Sequence, residues 1–171
     1  MTIEGVALRA LSVLADERGS FAEAFRSEWF PGVPAFAQGN LSRSRGGVLR
    51  GLHVHRRQFD LWVPLEGSFF VGLHDLRDGS ATAGETQTVA LEAGEPAALL
   101  IPPGVAHGFQ ALADAALLYL VTEPYDGTDE DGFRFDDPGA GVPWPLADPV
   151  LSERDRAAAT LGEFRARWSF P

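Results

Sequence analysis

Apolar residues along this chain fall in short runs that alternate with polar ones and do not recur at helical spacing. "EGVALRAL", "SFAEAF", "AFAQGNLS", "GVLRGLHVH", "DLWVPLEG", "SFFVGLHDL", "ETQTVALEAG", "AALLIPPG", "AHGFQAL" and "ALLYLVTE" each suit a strand of a few residues, and Gly, Pro, Asp or Ser falls between most of them. Many short strands at close spacing predict an antiparallel sandwich or barrel. Helical periodicity is confined to "ADPVLSERDRAAATLGEF" near the C-terminus, where Ser152 is placed to cap a short helix. The 171 residues carry no repeat or linker, so one all-β domain is expected over 1–171. The acidic stretch "YDGTDEDGFRFDDPGAG" reads as a solvated surface loop.

The run "RGLHVHRRQFD" interrupts this pattern with chemistry. His53 and His55 are two apart in a predicted strand and so share a face, which the same alternation extends to Leu49 and Gly51. Two imidazoles side by side suit a metal, a proton transfer or plain packing, and spacing alone leaves all three open.

Composition narrows the choice. A net charge of -10 argues against a nucleic-acid partner, whose phosphates need basic patches. No apolar run has membrane-span length and the first residues do not read as a signal peptide, so a cytoplasmic location is expected, with no membrane partner. Cysteine is absent, which removes disulfides and thiolate chemistry. Lysine is absent too, which removes Schiff bases and ammonium acids. Chemistry is left to His, Asp, Glu, Tyr, Arg, Ser or a bound metal.

Two resemblances follow from longer stretches. From Gly47 to Gly67 the order is glycine, five residues, H-x-H, four residues, an acid, six residues and glycine. This resembles the first motif of the cupin double-stranded β-helix, with Asp60 where cupins usually have Glu. "PPGVAHGF" resembles the second motif and contributes His107. The resemblance implies a cupin-type jelly roll. It also implies an alternative in which His53, His55, Asp60 and His107 hold a divalent ion.

The second resemblance is sharper. "DERGSFAEAF", "QGNLSRSRGGVLRGLHVH", "GSFFVGLHDLRDGSATAGE", "IPPGVAHGFQAL", "LLYLVTEPYD" and "WPLADPVLSERD", in that order from Asp16 to Asp155, are similar to the dTDP-4-dehydrorhamnose 3,5-epimerase family. That family, itself built on a cupin jelly roll, epimerises a nucleotide-linked 4-keto-6-deoxyhexose without a cofactor. The resemblance implies His53 as the base, Asp155 as the carboxylate that orients it and Tyr119 as the acid. Arg18 and Arg50 match arginines of the diphosphate and sugar region, and Tyr125 a tyrosine of the sugar and base pocket. Phe21, Glu23, Gln38 and Asn40 match positions on the nucleotide base, and His107 a further pocket residue. A homodimer is implied as well, since family members pair through N-terminal strands and residues such as Phe21 and Glu23 complete the partner's site.

The pattern breaks in one place. The family's lysine after "RGLH" is here Asp60, and the matching aspartate of the next strand is Val71. Either Asp60 turns outward or pairs with Arg56 or Arg57, leaving Arg50 to carry the enolate charge, or Asp60 joins His53, His55 and His107 around a cation. The two exclude each other, because a ligating His53 cannot also accept a proton. The metal-free epimerase is the reading preferred here. A catalytically degenerate nucleotide-sugar binder is the third possibility.

Overall fold

The structure is a computed structural model that describes residues 2–170. It opens with three short strands, β1 (Ala7–Ala10), β2 (Val13–Asp16) and β3 (Gly19–Ala22), and a 3₁₀ turn at Ser27–Trp29. Eight longer strands follow: β4 (Gln38–Ser44), β5 (Leu49–His55), β6 (Asp60–Glu66), β7 (Ser68–Asp75), β8 (Thr86–Glu92), β9 (Ala97–Ile101), β10 (Val105–Ala111) and β11 (Ala115–Val121). A three-residue β12 (Glu130–Gly132) and two short helices, α1 (Glu153–Arg156) and α2 (Leu161–Arg165), complete the chain.

Two five-stranded sheets, in the orders β1-β9-β6-β11-β4 and β12-β5-β10-β7-β8, form the expected cupin-type jelly roll, and every strand pair in them is antiparallel. Their inner faces enclose Trp62, Phe69, Val71, Leu73, Leu99, Ile101, Phe109 and Leu117. Burying such side chains contributes about 1.5–3 kcal/mol each. The hairpin β2-β3 stands apart from both sheets.

β5 is covered on both sides. Leu52 and Val54 pack with Phe133, Phe164 and Phe170 of the C-terminal segment, while the intervening histidines face the other way. The expected alternation nevertheless fails at the start of this strand. The register with β10 runs His107 against His53 but Phe109 against Arg50, a bulge at Gly51. Gly51 has φ +127°, and a Cβ there would lie 2.6 Å from Gly108 Cα. The bulge resets the phase, so Arg50, and neither Leu49 nor Gly51, joins the histidines on the inner face.

The C-terminal stretch forms short helical segments, as expected, and there are two of them. Ser152 accepts from the Asp155 N–H at the start of α1, as expected, but the helix stops at Ala157. Thr160 then opens α2 with a reciprocal capping box to Glu163.

Candidate active site

One end of the barrel opens into a cavity of about 400 Å³, a volume suited to a small organic ligand. Alternation supplies its walls: Gln38, Asn40 and Ser42 from β4, His53 and His55 from β5, Asp60 and Trp62 from β6, His107 and Phe109 from β10, Leu117, Tyr119 and Val121 from β11. Arg50 enters through the bulge, and Tyr125 and Glu130 come from the segment after β11. The structure thus brings together His53, Tyr119, Gln38, Asn40, Arg50, His107 and Tyr125 of the expected residues. Asp155 reaches His53 from behind.

His53 is held from two directions. Its Nε2 is 2.7 Å from Asp155 Oδ1, and Asp155 is itself buried. Ser152 fixes that carboxylate by donating its hydroxyl to Oδ2 at 2.9 Å while accepting the Asp155 N–H at 3.0 Å. Burial alone would raise the Asp155 pKa, but the His53 and Ser152 hydrogen bonds and the nearby Arg154 outweigh it and hold the group below its ordinary value. An ionised carboxylate can only accept, so the neutral imidazole carries its proton on Nε2 and keeps Nδ1 as a lone pair. Glu130 Oε1 lies 3.9 Å from Nδ1 and is ion-paired with Arg154.

Tyr119 is half-buried in the same cavity. Burial raises its pKa, and the negative charges of Asp60 and Glu130 raise it further against a small opposing effect of Arg50. The phenol therefore stays protonated and available as a donor. Arg50 donates from Nε to Ser44 Oγ at 3.3 Å. Gln38 links Asn40 and Tyr125: its amide donates to Asn40 Oδ1 at 2.8 Å and its carbonyl accepts from the Tyr125 N–H at 3.1 Å.

Asp60 departs from the first expectation, because it neither turns outward nor pairs with Arg56 or Arg57, and it meets the second only in part, lying beside His55 and His107 without His53. It is 3% exposed and faces inward. Its partners are the Gln58 amide at 2.6 Å and the Trp62 indole N–H at 3.0 Å. Arg56 instead stacks over Trp168, and Arg57 pairs with Asp126 and Asp129. The four-ligand metal set is also corrected. His55, Asp60 and His107 each bring one ligand atom within 4.8 Å of the others, and His53, whose Nε2 is bonded to Asp155, is not part of that group. His107 donates from Nδ1 to the Val105 carbonyl at 3.0 Å, and burial pushes its pKa down to about 4.

Three expected binding residues lie away from this cavity. Arg18 pairs with Asp16 at the exposed tip of the β2-β3 hairpin. Phe21 is 65% exposed, and Glu23 pairs with Arg26. Phe21 and Glu23 line a separate hollow with Arg9, Leu14 and Trp29.

The acidic stretch is not a solvated loop. Asp129 is buried and accepts the N–H groups of Arg57 and Gln58 at 3.2 Å each, which ties the segment to the β5–β6 turn. Asp137 is buried and accepts the Leu161 N–H at the start of α2. Glu130 is the residue that reading the sequence missed, since one acid among many gives no periodic signal. His74, outside this cavity, is buried and bonded to Thr86 Oγ1 at 2.9 Å.

Comparison with known proteins meets this geometry. The sequence model of the family described as dTDP-4-dehydrorhamnose 3,5-epimerase matches residues 1–163. The chain belongs to this family. It is 39% identical over 171 residues to the dTDP-4-dehydrorhamnose 3,5-epimerase of Methanothermobacter thermautotrophicus, covering 95% of this chain and 92% of that protein. Among solved structures of the family's kind, it is similar to a 4-keto-6-deoxy sugar epimerase from the novobiocin biosynthetic gene cluster of Streptomyces spheroides. The TM-score is 0.93 at 34% identity, over 100% of this chain and 90% of that one. It is also similar to the dTDP-6-deoxy-D-glucose-3,5-epimerase of Legionella pneumophila, solved with dTDP-4-keto-L-rhamnose. There the TM-score is 0.92 at 34% identity, over 100% and 96% of the two chains.

Proposed function

We propose that this protein epimerises C3, C5 or both of a dTDP-linked 4-keto-6-deoxyhexose by proton transfer between His53, the sugar and Tyr119. The observation that carries this is the 2.7 Å His53–Asp155 pair set in the wall of the cavity that also holds Tyr119. The C4 ketone acidifies the hydrogens on C3 and C5. His53 Nδ1 takes one of them, the C–H electron pair moves into an enolate with charge on O4, and Asp155 stabilises the imidazolium. Arg50 is the cavity's guanidinium and offsets the enolate charge. Tyr119 returns a proton to the carbon from the other face, and solvent exchange restores both side chains.

The dTDP moiety is supported by family membership and by the ligand of the Legionella relative. Gln38, Asn40 and Tyr125 supply amide and phenol groups at the cavity for it. We assign Arg18, Phe21 and Glu23 to the site of a second copy in a homodimer. The β2-β3 hairpin that carries Arg18 and Phe21 shows its apolar Leu14 and Phe21 to solvent, and none of the three residues reaches its own chain's cavity. A two-fold pairing would cover that patch. Within residues 2–170 no helix is long and apolar enough to cross a membrane, and we place the enzyme in the cytoplasm with its nucleotide-sugar substrate.

The decisive experiment is deuterium uptake at C3 and C5 of dTDP-4-keto-6-deoxyglucose in heavy water. Uptake at either carbon, lost in His53→Ala, is the expected result; a protein that binds the sugar without any exchange is the degenerate binder and overturns the proposal. Sedimentation at micromolar concentration tests the dimer, and a monomer there refutes it.

A further inference from the structure

The cavity floor is short of hydrogen-bond donors and of positive charge. Asp60 is a buried carboxylate whose close partners, Gln58 and Trp62, are neutral dipoles. Two imidazole nitrogens face it, His55 Nε2 at 3.8 Å and His107 Nε2 at 3.9 Å, both beyond hydrogen-bond distance. The Val105 carbonyl takes the Nδ1 proton of His107, which leaves Nε2 as a lone pair, and among the described residues nothing donates to it. His55 Nε2 accepts the Gln58 amide at 3.1 Å, which leaves the His55 proton on Nδ1, a buried group that is unpartnered among the described residues. Acceptor thus faces acceptor around a buried carboxylate, an arrangement that a donor-rich cationic group would complete.

We propose that this floor binds an ammonium group on the sugar ring, with Asp60 as its counter-ion and His107 Nε2 and His55 Nε2 as further acceptors, so that the enzyme is selective for amino-substituted nucleotide sugars. The inference deepens the epimerase reading and rests on it. An ammonium brings three N–H donors and a charge, whereas the hydroxyl of a neutral sugar brings one donor and none. The three ligand atoms lie within 4.8 Å of one another, close enough for one small cationic group to meet all three. Charge selects in the same sense: the buried carboxylate rejects a ligand that leaves it unpaired and favours one that neutralises it.

Affinities of stable 4-hydroxy or 4-amino ligands, measured by titration calorimetry on the intact protein, test this without turnover. The probes are dTDP-6-deoxyglucose and its 3-amino-3-deoxy and 4-amino-4-deoxy counterparts. One amino sugar is expected to bind at least tenfold more tightly than the neutral sugar, and Asp60→Asn is expected to bring the two affinities together. Three results overturn the proposal: equal affinity for all three ligands in the unmodified protein, selectivity that survives Asp60→Asn, or one equivalent of divalent metal by elemental analysis that the amino sugars do not displace. The comparison in the unmodified protein stands even if the variant fails to fold. Failure of the epimerase reading looks different, because it shows as no deuterium uptake with neutral or aminated 4-keto sugars, or as no binding of any of the three probes.

Discussion

Replacing Asp155 by Asn removes a charge and keeps the shape, and the consequences can be worked from the local geometry. The carboxylate accepts from His53 Nε2 at 2.7 Å and from the Ser152 hydroxyl at 2.9 Å. An amide offers one acceptor and one donor. With its oxygen toward Ser152, its NH₂ meets His53 Nε2 and forces the imidazole proton onto Nδ1, the nitrogen that has to be free to act as a base. With its oxygen toward His53, the tautomer is kept but the imidazolium formed during proton abstraction loses its counter-ion. Hydrogen bonds to charged groups are worth about 1.5–3 kcal/mol, and each 1.36 kcal/mol is about tenfold in rate. The expected loss in kcat is therefore about 10- to 150-fold. KM should move by less than about threefold, because Asp155 does not line the cavity. The assay is the initial rate of deuterium wash-in at C3 and C5, with circular dichroism confirming the fold. A variant within twofold of the parent, or one impaired in KM alone, would refute the dyad.

Two further outcomes are expected. Tyr119→Phe keeps the base and removes the acid, so wash-in should persist at C3 or C5 while net inversion falls at least tenfold, read by NMR of the product mixture. Asp75 is fully buried; its burial opposes ionisation, but bonds from Arg77, Ser80 and Thr82 win and hold its pKa far below the ordinary carboxylate range. A depressed carboxylate stabilises the fold above its unfolded pKa near 3.8 and loses that contribution as pH falls toward the folded value. Asp75→Asn should thus cost about 2–4 kcal/mol at pH 7 in a urea melt, with the gap to the parent narrowing below pH 4.

The strands and their inward residues were readable because period two is a property of the backbone, and most cavity residues lie on it: Gln38 with Asn40, His53 with His55, Tyr119 with Val121. Asp155 was found only through the likeness of "LSERD" to the family, since nothing periodic ties it to a histidine 102 residues earlier. Arg50 was placed through the same likeness, and alternation alone would have turned it away, because a bulge is invisible in a hydrophobic pattern. The outward alternative for Asp60 and the solvated reading of Asp129 failed for a shared reason. An acid looks solvated until its donors are known, and here they are an indole, an amide and two backbone N–H groups supplied by the fold.

Strand β5 writes two messages in one line, with the imidazoles of His53 and His55 on one side and Leu52 and Val54 gripped by the tail on the other. The reactive end of this barrel is consequently not a detachable module. Anyone transplanting the histidine strand into another jelly roll would have to carry Phe133, Phe164 and Phe170 with it, together with the Ser152–Asp155 turn that steers the ring. Laboratory recombination between relatives faces the same constraint, and crossover points that separate β5 from the last 40 or so residues should yield folded barrels with a loosened base far more often than functional hybrids.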